Sequence, residues 1–279
     1  MHRSLLRLWA LGLVSLLSTS GCETLSRSAP PPDRPGLLVV AGGGGAPPDL
    51  HRETLSRLSG VETRILILPW ASERERAGER GRLPWLEAGA RTVRIAADER
   101  GPFLDQLGAS DLLWMTGGSQ NRLLERIDTL GLREPIRDAH TGGLAVGGSS
   151  AGAAVISPLT LTGEAELDAL LSEGTRLVPG LGLWPGVIID QHFLARRRWA
   201  RLFAAVAAHP DEVGVGIDEK TAVFVDRGGV VEVIGTGPVV VIDAREMRST
   251  PVATGAPLDA REIRVHLVPA GSPFPGAPR

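Results

Sequence analysis

Short apolar runs alternate with polar, helix-like stretches along most of this chain, and that alternation limits the folds open to it. Helix-like stretches lie between several of the runs, for example at 120–130 and 196–209. Continuously apolar strands that alternate with helices predict an α/β fold with a mostly parallel sheet and helices on both faces. The runs are LLVVA at 37–41, RILILPW at 64–70, TVRIAA at 92–97, DLLWMTGG at 111–118, GLAVGG at 143–148 and GVIIDQHF at 186–193.

The C-terminal part of the chain has a different pattern. Two β-type runs at 221–235 flank an Arg-Gly-Gly turn and predict a hairpin. The runs VVVIDA and REIRVHLV, which follow it, are candidates for further strands. We therefore expect a single α/β domain over residues 36–270 with β-hairpin additions at its C-terminal side, and a loose tail at 271–279.

The first 22 residues resemble the signal peptide of a bacterial lipoprotein. A basic start precedes an apolar stretch at 8–17, which is too short to span a membrane, and small residues then lead to Cys22. We expect lipidation of Cys22, export and membrane anchoring, with the outer membrane favoured because Glu23 follows the cysteine. The proline-rich residues 23–35 predict a tether. An ordinary signal peptide with an incidental cysteine is the alternative.

Composition excludes several kinds of chemistry. The 30 basic and 32 acidic residues give a net charge of −2, so no bulk electrostatic attraction to nucleic acid is expected. The chain has no tyrosine to act as a general acid or base, and its one cysteine has no partner for a disulfide. Since no cysteine or histidine cluster has metal-ligand spacing, we predict neither a metal nor a cofactor.

A candidate nucleophile lies in the small-residue segment 148–152, which fits the pattern G-x-S-x-G with Ser150 at its centre. This pattern places a serine on a tight turn between a strand and a helix. The backbone amide of Ala151 would then be able to donate to a developing oxyanion. Ser149 is the weaker candidate because it is not centred between the glycines. A turn that needs small residues only for packing is the alternative.

A serine nucleophile needs a base, and His192 has the most suggestive position among the histidines. It follows the apolar run at 187–189, so we expect it at the same sheet edge as Ser150. Two acids, Asp218 and Glu219, follow the next short apolar stretch, and chemistry alone does not choose between them as the group that orients the imidazole. The alternatives are a structural histidine and a solvated acid pair.

Three motifs together closely resemble the cyanophycinases. They are GGSSAGAAV at 147–155, IIDQHF at 188–193 with the following R-x-R-x-x-R, and GVGIDEKTA at 214–222. The resemblance covers about Gly36 to Val225 and implies a class I glutamine-amidotransferase-like fold. It implies Ser150 as nucleophile, His192 as base and Glu219 as the orienting acid of a serine exopeptidase.

The same resemblance implies a substrate and its contacts. Cyanophycinases act on β-aspartyl-arginine linkages and remove such units from the chain end of cyanophycin, a polyaspartate that carries arginine on each side chain. MTGGSQNRL at 115–123 would supply Gly118 as a second oxyanion amide, although Ser119 stands where an aspartate is common. A homodimer is implied as well. The residues implied as substrate contacts are Gln120, Asp190, Gln191, Arg196, Arg198 and Arg201.

Two other functions remain open at this point. The first is a related peptidase that acts on α-aspartyl dipeptides or other β-aspartyl isopeptides. The second is a non-catalytic, peptide-binding lipoprotein that keeps the fold, which would have no need of a serine, a histidine and a glutamate in these three motifs.

Overall fold

The fold is taken from a computed structural model, which describes residues 35–163, 170–172 and 175–275. The expected signal peptide with Cys22, the tether up to residue 34 and the last four residues of the expected tail lie outside the described residues. Within the described ranges, the model contains no helix with both the length and the apolar character needed to span a membrane.

Strands and α-helices alternate over residues 38–154, from the first strand to the sixth helix, except that the fourth and fifth helices follow one another. The strands are β1 (Leu38–Ala41), β2 (Arg64–Leu68), β3 (Thr92–Ile95), β4 (Leu112–Met115), β5 (Ala145–Ser149), β6 (Leu159–Leu161), β7 (Leu177–Pro179), β8 (Val187–Gln191), β9 (Val213–Ile217), β10 (Thr221–Val225), β11 (Val231–Gly235), β12 (Val239–Asp243) and β13 (Arg264–Val268). The helices are α1 (Leu50–Arg57), α2 (Ala77–Glu87), α3 (Arg100–Gly108), α4 (Gln120–Thr129), α5 (Arg133–Thr141), α6 (Ala151–Ala154) and α7 (Trp199–Ala208).

The main sheet has the strand order β11-β10-β1-β5-β4-β2-β3. Its five N-terminal strands are parallel, while β10 pairs antiparallel with both β1 and β11. The predicted mostly parallel sheet and the predicted hairpin at 221–235 are therefore confirmed. Both faces are buried, because Leu38 and Val40 of β1 join one apolar cluster while Val39 and Ala41 join another.

A second sheet has the order β13-β12-β9-β8, with β8 and β9 parallel and the other pairs antiparallel. The expectation that the run at 186–193 ends at the same sheet edge as Ser150 is wrong, because this run forms β8 of the second sheet. A continuously apolar run indicates burial on both faces, but it does not identify the neighbouring strands. The place beside β1 is taken by the C-terminal hairpin instead.

The two sheets nevertheless meet near their strand ends. The chain passes from β9 of the second sheet directly into β10 of the main sheet through residues 218–220. One apolar cluster contains residues of both sheets, among them Val40, Val187 and Val215. The ends of β1, β5, β8 and β9 are thereby brought to one place, although they belong to two sheets.

Candidate active site

Ser150 lies on a strained turn between β5 and α6. Its backbone angles are φ 54° and ψ −114°, a combination that an L-residue adopts only when its surroundings enforce it. The turn is tight enough that a Cβ added to Gly148 would lie 2.4 Å from the carbonyl of Gly152. The small residues of the G-x-S-x-G pattern therefore allow the backbone to fold back on itself and present the hydroxyl.

The side chains of Ser150, His192 and Glu219 form a continuous chain of hydrogen bonds. Ser150 Oγ is 2.9 Å from His192 Nε2, and His192 Nδ1 is 2.6 Å from Glu219 Oε1. The imidazole is 9% exposed and the carboxylate is 37% exposed, so the histidine is sheltered while the acid still touches solvent. This is the contact pattern by which a serine hydroxyl is activated in serine hydrolases.

The charges around His192 favour its neutral form. Burial lowers the pKa of the His192 imidazole below its usual value of 6.5, and the positive charges of Arg196 and Arg198 lower it further. The hydrogen bond to Glu219 opposes this shift, but the net direction is downward. With Nδ1–H donating to the carboxylate, Nε2 is left as the acceptor for the Ser150 hydroxyl, as a general base requires.

Asp218 has a different role from Glu219. Its Oδ1 accepts hydrogen bonds from the backbone amides of Leu194 (3.1 Å) and Ala195 (2.9 Å), which follow His192 in the chain. The acid that touches the imidazole is therefore Glu219, while Asp218 braces the loop that carries the histidine. Of the two adjacent acids, Glu219 contacts the imidazole ring and Asp218 contacts the backbone that follows His192.

Two backbone segments lie beside the nucleophile where an oxyanion would form. Ala151 begins α6, so its N–H lacks an acceptor within the helix. Across the site, a Cβ added to Gly117 would lie 3.2 Å from Ser150 Cβ, and Gly118 follows directly. Gly118 and Ala151 remain the predicted oxyanion donors. The sequence reasoning missed Gly117, and the glycine doublet after β4 is the signal that could have found it.

Gln120 opens α4 and is 4% exposed. Its Nε2 donates to the carbonyl of Leu161 (3.3 Å), so the amide fastens α4 to β6 in this structure. Ser119, which replaces the common aspartate, caps the same helix by accepting a hydrogen bond from the amide of Arg122. The contact of Gln120 with substrate stays a prediction.

Asp190 and Arg201 form a buried ion pair rather than an open substrate site. Asp190 is fully buried and Arg201 is 1% exposed. Arg201 Nε donates to Asp190 Oδ2 at 2.7 Å, and Arg201 Nη2 bonds the other carboxylate oxygen. The expected direct contacts of these two residues with substrate are therefore corrected. A charge inside the protein has to be paired, and Asp190 pairs with Arg201 and also lies 3.6 Å from Nη1 of the buried Arg198.

Gln191 lies between Ser150 and Arg198. Arg198 Nη1 donates to the backbone carbonyl of Gln191 at 2.7 Å and to its side-chain Oε1 at 2.9 Å. The same Oε1 is 3.4 Å from Ser150 Oγ. Arg198 is 6% exposed, so its expected contact with substrate is corrected to a contact that holds Gln191 in place.

Arg196 is the member of the arginine motif that faces solvent. Its side chain is exposed, and its charge acts on His192. It therefore stays a predicted substrate contact.

In the described part of the chain, His, Cys, Asp and Glu side chains form no group that could hold a metal ion.

Comparison with known proteins identifies the family. A model of peptidase family S51 matches residues 37–233. The cyanophycinase of Trichormus variabilis is 35% identical over 238 residues, which cover 81% of this chain and 80% of the relative. The cyanophycinase of Synechococcus elongatus is 34% identical over 228 residues, which cover 77% of this chain and 70% of the relative.

A solved structure shares the fold. The crystal structure of a peptidase from an acI-B1 Actinobacterium superposes with a TM-score of 0.60 at 22% identity, covering 84% of this chain and 98% of the other. This likeness confirms the predicted α/β architecture. From the family match over residues 37–233 and the relatives at about one-third identity, it follows that this chain belongs to peptidase family S51 and is a serine peptidase.

Proposed function

We propose that this chain is a cyanophycinase-like exopeptidase that releases β-aspartyl-arginine units from the end of cyanophycin. The observation that carries the proposal is the contact chain from Ser150 through His192 to Glu219. The curated relatives that bear the name cyanophycinase support the choice of substrate. Release of an intact β-aspartyl-arginine unit requires hydrolysis of the backbone amide that joins it to its neighbour, so the bond that we propose is cut is this amide, and the β-aspartyl-arginine linkage expected from the resemblance stays intact.

The proposed mechanism is acyl transfer through Ser150. His192 Nε2 takes the proton of the hydroxyl as Oγ attacks the amide carbonyl, and the amides of Gly118 and Ala151 donate to the resulting oxyanion. His192 then gives the proton to the departing amine nitrogen as the C–N bond breaks. Water attacks the acyl-enzyme by the same route and regenerates the free hydroxyl. Glu219 stabilises the imidazolium that forms in each half-reaction.

The charges around the site suit an anionic substrate end. Each β-aspartyl-arginine unit carries the free carboxylate of its arginine, and the exposed guanidinium of Arg196 lies close enough to His192 to influence its pKa. A guanidinium fork matches the geometry of a carboxylate. Arg196 is accordingly proposed to bind that carboxylate. Arg198 acts behind it, through Gln191.

The experiment that tests this function is digestion of cyanophycin by the purified chain, with Ser150→Ala as the matched control. Mass spectrometry should show β-aspartyl-arginine with the native chain and none with the variant. Aspartyl dipeptides and β-aspartyl isopeptides are assayed in parallel. Cleavage of these alone would favour the related-peptidase alternative, and binding of acidic peptides without any cleavage would favour the binding lipoprotein. Equal release by Ser150→Ala would overturn the nucleophile.

We also propose that the chain is exported and anchored to a membrane, with the outer membrane favoured, through lipid on Cys22. The support is the sequence pattern of the first 22 residues. Labelling of cells with radioactive palmitate should mark the native chain but not Cys22→Ser, and the variant should leave the membrane fraction. Light scattering of the purified chain tests the homodimer that the resemblance implies.

A further inference from the structure

Three residues at the candidate site have a backbone conformation that favours glycine, although none of them is a glycine. The φ angles are 54° at Ser150, 49° at His192 and 54° at Lys220, which directly follows Glu219. Such angles are strained for L-residues and persist only where neighbouring groups hold them. Each of the three contacting side chains is therefore on, or next to, a strained residue.

The same short segment holds all three strained residues. Three successive carbonyls at the end of β1 each accept one of their backbone N–H groups. The three bonds are Ser150 N to Ala41 O (2.9 Å), His192 N to Gly42 O (2.9 Å) and Lys220 N to Gly43 O (3.0 Å). Consecutive peptide units have fixed spacing, so these bonds also fix the spacing of the three residues. We call Ala41–Gly44 the template segment.

The template segment also touches the reacting side chains. A Cβ added to Gly43 would lie 2.5 Å from His192 Nε2 and 3.1 Å from Ser150 Cβ. A Cβ added to Gly44 would lie 2.3 Å from Glu219 Cδ. A Cβ at either position would force its neighbour, the imidazole of His192 or the carboxylate of Glu219, to move, because real carbon atoms do not approach so closely. The bare backbone at Gly43 and Gly44 thus forms one wall of the imidazole and carboxylate positions.

We propose that the template segment is the positioning element of the catalytic triad, with Gly43 and Gly44 as its positioning residues. This inference rests on the proposed function, since it assigns a positioning element to the same triad. Three carbonyls set the backbone of the serine, the histidine and the residue after the glutamate. The two glycines then let the imidazole and carboxylate reach each other and Ser150 Oγ. The glycine run GGGG at 42–45 thereby receives a specific role.

Gly45 is the control position that distinguishes contact with the triad from a need for the backbone freedom of glycine. Its φ of 103° is close to the 97° of Gly43, so an alanine meets comparable backbone strain at either position. A Cβ added to Gly45, however, has no heavy atom within 4 Å outside its chain neighbours. The two positions therefore differ in their contact with the triad while their φ angles are nearly the same.

The test measures how fast a small fluorophosphonate labels Ser150 in the purified chain. In this reaction Ser150 Oγ bonds to phosphorus, the P–F bond breaks, the proton passes to His192 and fluoride leaves. Gly43→Ala should label about 100-fold more slowly than the native chain, the cost of a misplacement near one ångström. Gly45→Ala should stay within about threefold, as expected for an exposed substitution. Circular dichroism and thermal unfolding establish that both variants are folded.

A second variant tests the contact with the carboxylate and decides the matter if Gly43→Ala does not fold. Gly44→Ala alone should slow labelling by about tenfold, because Glu219 is displaced from the imidazole. In a Glu219→Ala background the same substitution should have no further effect. A merely structural role for Gly44 would give the same loss in both backgrounds and would overturn the proposal.

The outcomes also separate this inference from the proposed function. If the native chain is labelled at Ser150 and folded Gly43→Ala is labelled equally fast, the template is wrong and the triad stands. Losses of equal size in Gly43→Ala and Gly45→Ala would overturn the template as well. A native chain that the reagent does not label at Ser150 would count against the triad itself, and the template would fail with it.

Discussion

His192 Nδ1 lies 2.6 Å from Glu219 Oε1, although the two residues are 27 positions apart in the chain. Each follows a strand of the second sheet, β8 for the histidine and β9 for the glutamate. Ser150, by contrast, follows β5 of the main sheet. The imidazole therefore bridges two sheets, and its hydrogen bond to the hydroxyl depends on the relative position of both sheets.

The carboxylate of Glu219 should be essential, and Asp218 offers a matched control one residue away. Glu219→Gln removes the charge that stabilises the imidazolium, and it should lower kcat/KM on the order of 10³- to 10⁴-fold. Asp218→Asn keeps an oxygen that can still accept from the amides after His192, so it should cost less than about tenfold. Steady-state kinetics on cyanophycin compare the two. A larger loss in Asp218→Asn would reverse their roles.

Removal of the positive charge of Arg196 should move the pH profile. That charge disfavours the imidazolium form of His192 and lowers its pKa, so Arg196→Gln should raise the pKa of His192. The proposed mechanism requires a neutral imidazole, so a higher pKa means that kcat/KM falls at a higher pH on the acid side. The exposed Arg197→Gln is the control, with an unchanged profile. Added salt should narrow the difference between Arg196→Gln and the native chain, because the interaction is screened at an exposed site.

The buried pair of Asp190 and Arg201 should contribute to folding rather than to substrate contact. Asp190→Ala leaves a guanidinium buried without its carboxylate and should lower the free energy of unfolding by about 3–5 kcal/mol. The double variant Asp190→Leu, Arg201→Met removes both charges and should recover much of this loss. Urea denaturation measures both. A double variant that loses as much stability as Asp190→Ala, or more, would contradict this role of the pair.

Much of this fold can be predicted from sequence because its strands are continuously apolar. The runs at 37–41, 64–70 and 111–118 each contain a strand of the main sheet, the run at 143–148 covers all of β5 except its last residue, and a local pattern suffices to find them. The partner of each strand is a matter of long-range pairing that such a pattern does not record. For that reason β8 was expected beside Ser150 in one sheet and is found in another.

In the candidate site, too, local features can be predicted from sequence, whereas long-range contacts cannot. The G-x-S-x-G turn at Ser150 is local, so its tight, positive-φ geometry follows from the order of small residues. The pairing of Asp190 with Arg201 spans 11 residues and depends on how α7 packs on β8, which no spacing rule gives. The role of Gly43 likewise depends on three loops that meet in space. Sequence motifs therefore indicate the reacting side chains, whereas the groups that hold them require the structure.

Acid should destabilise the chain through the partly buried His51. Burial lowers the pKa of His51 to about 4, and its ring packs edge-on against Trp85 with centroids 4.6 Å apart. Between pH 6.5 and 4 the unfolded chain binds a proton at His51 that the folded chain does not. The stability this group contributes is complete above pH 6.5 and is lost as pH falls toward 4, by at most about 3 kcal/mol.

His51→Phe keeps an aromatic ring without a titrating group, so the free energy of unfolding of this variant should fall less over this pH range. The slope will not vanish, because burial also lowers the pKa of His140. Urea unfolding of both proteins at several pH values gives the comparison, and identical acid slopes would exclude His51 as a contributor.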